Sequence, residues 1–259
     1  YNLDEPIYVQ YFTYLKRIVT FDFGPSIKKP TETVNELLER GFPISFELGI
    51  VTIVVALISG ITLGTIAALR HNGVIDYLAM TIAVIGISVP NFILATLFIQ
   101  VFAVYWGWFP AATWQSVSHM VLPTLALATG PMAIIARLTR ASMIEVLTQD
   151  YIKMARAKGL KPWRIVVRHA LRNALMPVVT ILGTMLAGIL TGTFVIEQIF
   201  GIPGMGKYFV ESINNRDYPL IMGTTVFYSA FLVFSLFLVD IVYGFLDPRI
   251  KLHKKEGEA

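Results

Sequence analysis

Hydrophobic positions in this chain fall in long, nearly unbroken blocks rather than in the alternating or one-in-four rhythm of a soluble domain. Five blocks stand out, at about Ser45–Leu69, Tyr77–Tyr105, Val117–Leu138, Ala174–Phe200 and Leu220–Leu246. Each reaches the roughly 20 apolar residues that an α-helix needs to cross a bilayer. The pattern predicts an all-α polytopic membrane protein with five visible spans. Its membrane domain covers 44–247, preceded by a polar, mixed segment (1–43) and followed by a short tail (248–259). In the first segment Tyr8, Tyr11, Phe12, Leu15 and Ile18 recur at helical spacing, which predicts a helix lying on or near the membrane surface. An ordinary packed surface helix is the alternative. The run FDFGPS reads as a turn, and TETVNELLER as a helix start with Thr31 as its N-cap.

Composition agrees. The chain has 259 residues, is 55% hydrophobic and 15% charged, and has a mean hydropathy of +0.65. The net charge of +4 is not spread over a soluble face, which argues against a nucleic-acid binder. It is concentrated between Arg137 and Arg172, where nine cations (Arg137, Arg140, Lys153, Arg156, Lys158, Lys161, Arg164, Arg168, Arg172) face two acids, Glu145 and Asp150. Short Lys/Arg-rich loops are retained in the cytoplasm. The third loop (139–173), the first loop with Arg70 and the tail with Arg249, Lys251, Lys254 and Lys255 are therefore expected inside. Loops 106–116 and 201–219 are expected outside. Residues 1–43 then lie outside, which calls for a further span upstream, six in all. With no cysteine, disulfides and thiolate metal sites are excluded.

The stretch Asp150–Pro177 is both the most basic and the most patterned. It reads as helix, break, helix: Gly159 fits a C′ position and Pro162 the first turn of a new helix. Trp163, Val166, Val167, Ala170 and Leu171 fall on one side of that helix, with Arg164, Arg168 and Arg172 on the other. A short amphipathic helix under a membrane domain suits docking to something in the cytosol.

Chemistry-bearing motifs are scarce. Gly201-Ile-Pro-Gly-Met-Gly-Lys207 matches a phosphate-cradling loop, but Tyr208 stands where Ser or Thr should hold magnesium, and the run follows a membrane helix rather than a strand. The four histidines are scattered, and no hydrolase or metalloprotease signature is present. Glu47, Glu197 and Asp240 lie toward span ends, where structural polar contacts are expected rather than ion coupling. Pro90 and Asn91 interrupt the second span and Pro131 the third; these three are candidates for a translocation path. Thr124, Thr129 and Thr139 are placed to bond backbone freed by prolines. Gly60-x-x-x-Gly64 and Gly188-x-x-x-Gly192 predict close helix crossings.

Ala155-Arg-Ala157-Lys-Gly159, before the penultimate span, resembles the EAA loop of bacterial ABC importer permeases. Aligned on Gly159, the generic Glu-Ala-Ala falls on Lys153, Met154 and Ala155. The dipeptide, oligopeptide and nickel branch is more similar, through Ala155–Leu160 and Arg168–Pro177. Leu3–Tyr11, Gly86–Phe92, Phe200–Gly206, Asn215–Pro219 and Asp247–Arg249 extend the likeness over nearly the whole chain, above all to the B-type permease subunit of an oligopeptide importer.

The resemblance implies the type I ABC importer permease fold and an alternating-access role. It implies a second homologous permease, two cytosolic ATPases, an external binding protein, a peptide substrate and lipid as partners. ATP and Mg belong to the partner subunits, and this chain is expected to hold no cofactor and to catalyse nothing. Ala155, Ala157, Lys158, Gly159, Trp163, Arg164 and Arg168 are the implied ATPase-coupling residues, with headgroup anchoring as the alternative for the arginines. Related subunits carry dipeptides, glutathione or nickel. A secondary transporter would need an internal repeat or a buried coupling residue, and neither is evident. A channel-like subunit without ATP coupling leaves the docking helix unexplained.

Overall fold

A computed structural model describes residues 4–191 and 193–246. They form α1 (Ile7–Val19), α2 (Val34–Leu69), α3 (Val74–Ser88), α4 (Asn91–Phe98) and a π-helical stretch (Ile99–Tyr105). After these come α5 (Val117–Leu147), α6 (Asp150–Ala157), α7 (Pro162–Arg164) and a second π-helical stretch (Ile165–Ala170). The chain continues through α8 (Leu171–Ala174), α9 (Met176–Thr191), α10 (Phe194–Ile199), α11 (Met205–Asn215) and α12 (Tyr218–Leu246). Among the described residues there is no β-strand, only an isolated bridge between Pro25 and Thr33.

Among the described residues, three unbroken helices, α2, α5 and α12, are long and apolar enough to cross a membrane. Two bent pairs bring the count to five: α3 with the Asn91–Tyr105 segment, and the Pro162–Ala174 segment with α9. The first pair turns by 107°, at the interruption expected from Pro90 and Asn91. Val89 is extended before Pro90, as the clash between a proline ring and the preceding residue requires.

The first span starts earlier than its hydropathy suggests. At 1.5 Å per residue α2 is about 54 Å long, against a hydrocarbon core of about 30 Å. Its N-cap is Thr33, not Thr31. The Thr33 hydroxyl accepts from the Glu36 N–H, and the Glu36 carboxylate accepts from the Thr33 N–H. That reciprocal box needs Ser or Thr three residues before Glu, a spacing that Thr33 has and Thr31 lacks. Pro43 sits inside the helix without ending it.

α2 and α5 form the spine. Gly60 and Gly64 let them approach until a Cβ on Gly60 would lie 2.7 Å from the Met132 carbonyl oxygen, as the small-residue spacing predicts. At Gly188 a Cβ would meet nothing within 4 Å among the described residues, and Gly192 lies outside them. In α5 the Thr129 hydroxyl donates to the Leu125 carbonyl at 2.7 Å. Among the described residues, the buried hydroxyls of Thr124 and Thr139 find no partner. The Leu125 carbonyl is not one that Pro123 or Pro131 frees, so the expected rescue of proline-freed backbone is seen at none of the three.

The bundle has two distinct ends. One carries α6–α8, the basic end. At the other, residues 21–33 pack onto α11 and α12. There Phe23, Val34, Leu37, Leu38, Met205 and Leu220 share a core. Asp217 ties the turn down, its carboxylate accepting from the Ser26 hydroxyl and from the N–H of Ile27 at 3.3 Å. α1 contributes no buried residue; Tyr8, Tyr11 and Phe12 are exposed. The tail 248–259 and the side chain of Asp240 lie outside the described part.

Candidate functional site

α5 ends at Leu147, and the chain reverses into α6 through an extended Gln149. Ile152 and Ala155, three apart on α6, are both buried. The helix closes with the Lys158 N–H on Met154 (3.0 Å), the Gly159 N–H on Arg156 (2.9 Å) and the Leu160 N–H on Ala155 (3.3 Å). Gly159 has φ +72°, and a Cβ there would meet nothing within 4 Å. Glycine is needed for the left-handed backbone that ends the helix, not for room.

Pro162 then opens the next helix at its first position, where its missing N–H costs nothing. The chain widens into the π-helical stretch Ile165–Ala170. That widening revises the face read from 3.6-residue spacing. Ile165, Ala170 and Ala174 are buried and Val166 and Leu171 pack against them, while Trp163 (60%) and Val167 (58%) remain exposed. Bonds from i to i+5 advance the phase, so positions five apart, 165 and 170, share the inner side.

The inner side of this helix–break–helix unit rests on the ends of the spine. Ile152, Ala155, Ile165, Ala170 and Ala174 form one apolar cluster with Ala68 of α2 and Met143 of α5. Asn173 donates to the Tyr151 hydroxyl at 2.8 Å, tying α8 to α6. The outer side presents Ala157, Lys158, Gly159, Trp163, Arg164 and Arg168, all exposed. The Arg164 guanidinium lies 5.5 Å from the Trp163 ring centroid. Six of the seven residues singled out in the loop are thus exposed. Ala155, at 8% exposure, belongs to the inner cluster and holds the unit in place.

Pro90, Asn91 and Pro131 are not at this surface. Asn91 lies at the α3–α4 break, and its Oδ1 is 3.8 Å from where a Cβ on Gly130 would sit. The break therefore packs beside the Gly130–Pro131 step of α5. Sequence reasoning missed a third group. Asp76, in the first turn of α3, is buried and receives the Arg140 guanidinium through Nε (2.5 Å) and Nη2 (2.7 Å). Nothing in the local pattern links residues 64 apart.

At the other end the glycine run is occupied from within. The buried Glu197 carboxylate accepts from the Gly206 N–H at 2.7 Å and from the Thr193 hydroxyl. The Met205 N–H donates to Ser45 Oγ at 2.8 Å. The N–H groups that would cradle a phosphate at the start of α11 are used to hold the helix down. Glu197 thus makes structural contacts, as expected. Glu47, by contrast, is exposed on α2.

Residues 60–252 match the family described as binding-protein-dependent transport system inner membrane component. The dipeptide transport system permease protein DppB of Bacillus subtilis is 72% identical over 98% of this chain and 83% of its own length. The oligopeptide transport system permease protein OppB of Haemophilus influenzae is 44% identical over 97% and 83%. Among solved structures, an inward-facing form of the MetNI methionine ABC transporter aligns with TM-score 0.66 at 20% identity, covering 80% of this chain and 94% of the other. An amino acid ABC transporter solved with histidines aligns at 0.61 and 15% identity.

Proposed function

Since the chain belongs to the family of binding-protein-dependent transport system inner membrane components, we propose that it is a permease subunit of an ATP-driven importer of short peptides. The observation that carries the reading is the outward surface of the helix–break–helix unit. Trp163, Arg164 and Arg168 point away from the bundle, while the inner side is fixed to α2 and α5. A motion imposed there has a packed route into two spans, which is what alternating access driven from outside the membrane domain requires.

In this reading the basic end faces the cytoplasm, where two ATPase subunits hold ATP and Mg. Residues 1–43 and α11 lie outside, facing a binding protein that delivers the peptide. A second permease completes the path, to which the α3–α4 break with Pro90 and Asn91, and Pro131 beside it, contributes. Dipeptides are the first substrates to test, on the strength of the 72% identity to the Bacillus subtilis permease; longer peptides follow from the 44% relative.

The test is uptake of a labelled dipeptide and a labelled tetrapeptide by cells lacking this subunit, complemented with the full-length protein or with Arg164→Glu/Arg168→Glu. Uptake is expected with the former and lost with the latter, although both reach the membrane. Uptake that persists after removal of the ATPase subunits would replace this reading with a secondary carrier.

A further inference from the structure

Among the described residues, α3 contributes no side chain to the apolar cluster under the helix–break–helix unit. It follows α5 by other means. Ala79 and Ala83 are buried, and Gly86 brings α3 so close to α5 that a Cβ there would lie 2.8 Å from the Thr129 methyl. At its base the contact changes character. The Asp76 carboxylate takes both Arg140 nitrogens in a forked pair and also accepts from the Asn72 N–H at 2.9 Å. His71 Nδ1 completes the group, 3.2 Å from Arg140 Nη2 and 3.3 Å from Asp76 Oδ2. One buried carboxylate thus joins α3, the α2–α3 turn and α5.

Arg140 stands one helical turn before Met143, the α5 residue at the centre of the apolar cluster. It is also one residue after Thr139, which packs against Gly64 of α2. At its far end α3 stops at the 107° break beside Gly130. The chain of contacts therefore runs from the outer surface through Met143 and Arg140 to Asp76, along α3, to Pro90 and Asn91.

We propose that Asp76 and Arg140 are positioning residues that fasten α3 to α5, so that movement of the helix–break–helix unit is delivered to the α3–α4 break. The inference rests on the reading of that unit as the coupling surface. A buried ion pair is weak evidence for stability, because an apolar pair of similar volume often replaces it without loss. What such a pair can fix is which surfaces stay together. A forked guanidinium–carboxylate pair, with two parallel bonds, resists both sliding and rotation.

The experiment measures peptide imported per ATP hydrolysed by the full complex in proteoliposomes. The apolar exchange Asp76→Leu/Arg140→Met keeps the volume and removes the fastening. Coupling energies between sites correspond to roughly 5- to 150-fold, so peptide per ATP is expected to fall at least ~5-fold, with assembly and melting temperature retained. Because residues 1–259 contain no cysteine, Asp76→Cys/Arg140→Cys introduces the only thiols in this part of the subunit. A short bifunctional thiol cross-linker is expected to restore peptide per ATP in that variant, and cleaving the linker to remove it again. Unchanged peptide per ATP in the apolar variant overturns the proposal, as does a cross-link that blocks import. If the apolar variant does not assemble, the cross-linked thiol pair decides alone. A wild-type complex without ATPase subunits would overturn the coupling reading and this proposal together; ATPases present with unaltered coupling would overturn this proposal alone.

Discussion

Glu197 accepts a hydrogen bond of 2.7 Å from the N–H of Gly206, so the carboxylate of one helix caps the next. The pair lies on a bend where α10 turns back into α11, and both residues are buried. A carboxylate at a helix N-terminus meets unpaired N–H groups and the positive end of the helix dipole. Replacing Glu197 by Ala strands a buried donor, which costs about 1–3 kcal/mol. Glu197→Gln keeps an acceptor oxygen and is expected to lose less. Thermal unfolding in detergent would rank the two, with faster amide exchange at Met205 and Gly206 in the alanine variant. Equal melting temperatures for the two would mean that the contact holds nothing.

The glycines of α2 and α9 are expected to respond oppositely. A methyl on Gly64 falls against the Ala136 carbonyl and lies 2.7 Å from the Thr139 Cβ, so Gly64→Ala must push α2 away from α5. Such overpacking costs about 1–3 kcal/mol. Gly188→Ala meets nothing within 4 Å and is expected to be neutral or slightly stabilising, since alanine is the better helix former. Paired melting curves would check this; a destabilised Gly188→Ala beside a normal Gly64→Ala would reverse the assignment.

Gly159 separates backbone need from spatial need. Nothing crowds it, yet its φ is +72°. Asparagine enters the left-handed region readily, while a β-branched residue there is a genuine outlier. Gly159→Asn is expected to retain most peptide uptake and Gly159→Val to lose it, because the helix end unwinds and Trp163 is misdirected. Uptake with both variants in the assembled complex is the measurement. Normal uptake by Gly159→Val would show that the break needs no fixed geometry.

What the sequence made legible was whatever depends on neighbours in the chain. Hydropathy located the spans, and the Gly159–Pro162 pair located the break, because each signal is local. The Thr33–Glu36 box was also written locally and was missed by placing the cap two residues early. Two features were not readable in principle from periodicity. Around the π-helical stretch at Ile165–Ala170, Trp163 and Val167 stay outside, while Ile165, Ala170 and Ala174 pack on Ala68 of α2 and Met143 of α5, contacts distant in sequence. The Asp76–Arg140 pair joins residues 64 positions apart, and each alone reads as an ordinary charge at a span end. Ala155 is buried at 8% exposure, and membership of a recognised loop says nothing about which way a side chain faces.

Site-specific photo-cross-linking at position 163 in native membranes tests the central claim most directly. With a photoreactive amino acid replacing Trp163 in the full-length protein, the account predicts an adduct with an ATP-hydrolysing subunit, identified by mass spectrometry of the cross-linked band. The same probe at Ile152, which is fully buried, should give only adducts within the chain. Adducts at 163 with lipid alone, from a complex that imports peptide normally, would contradict the account and leave Arg164 and Arg168 as headgroup anchors.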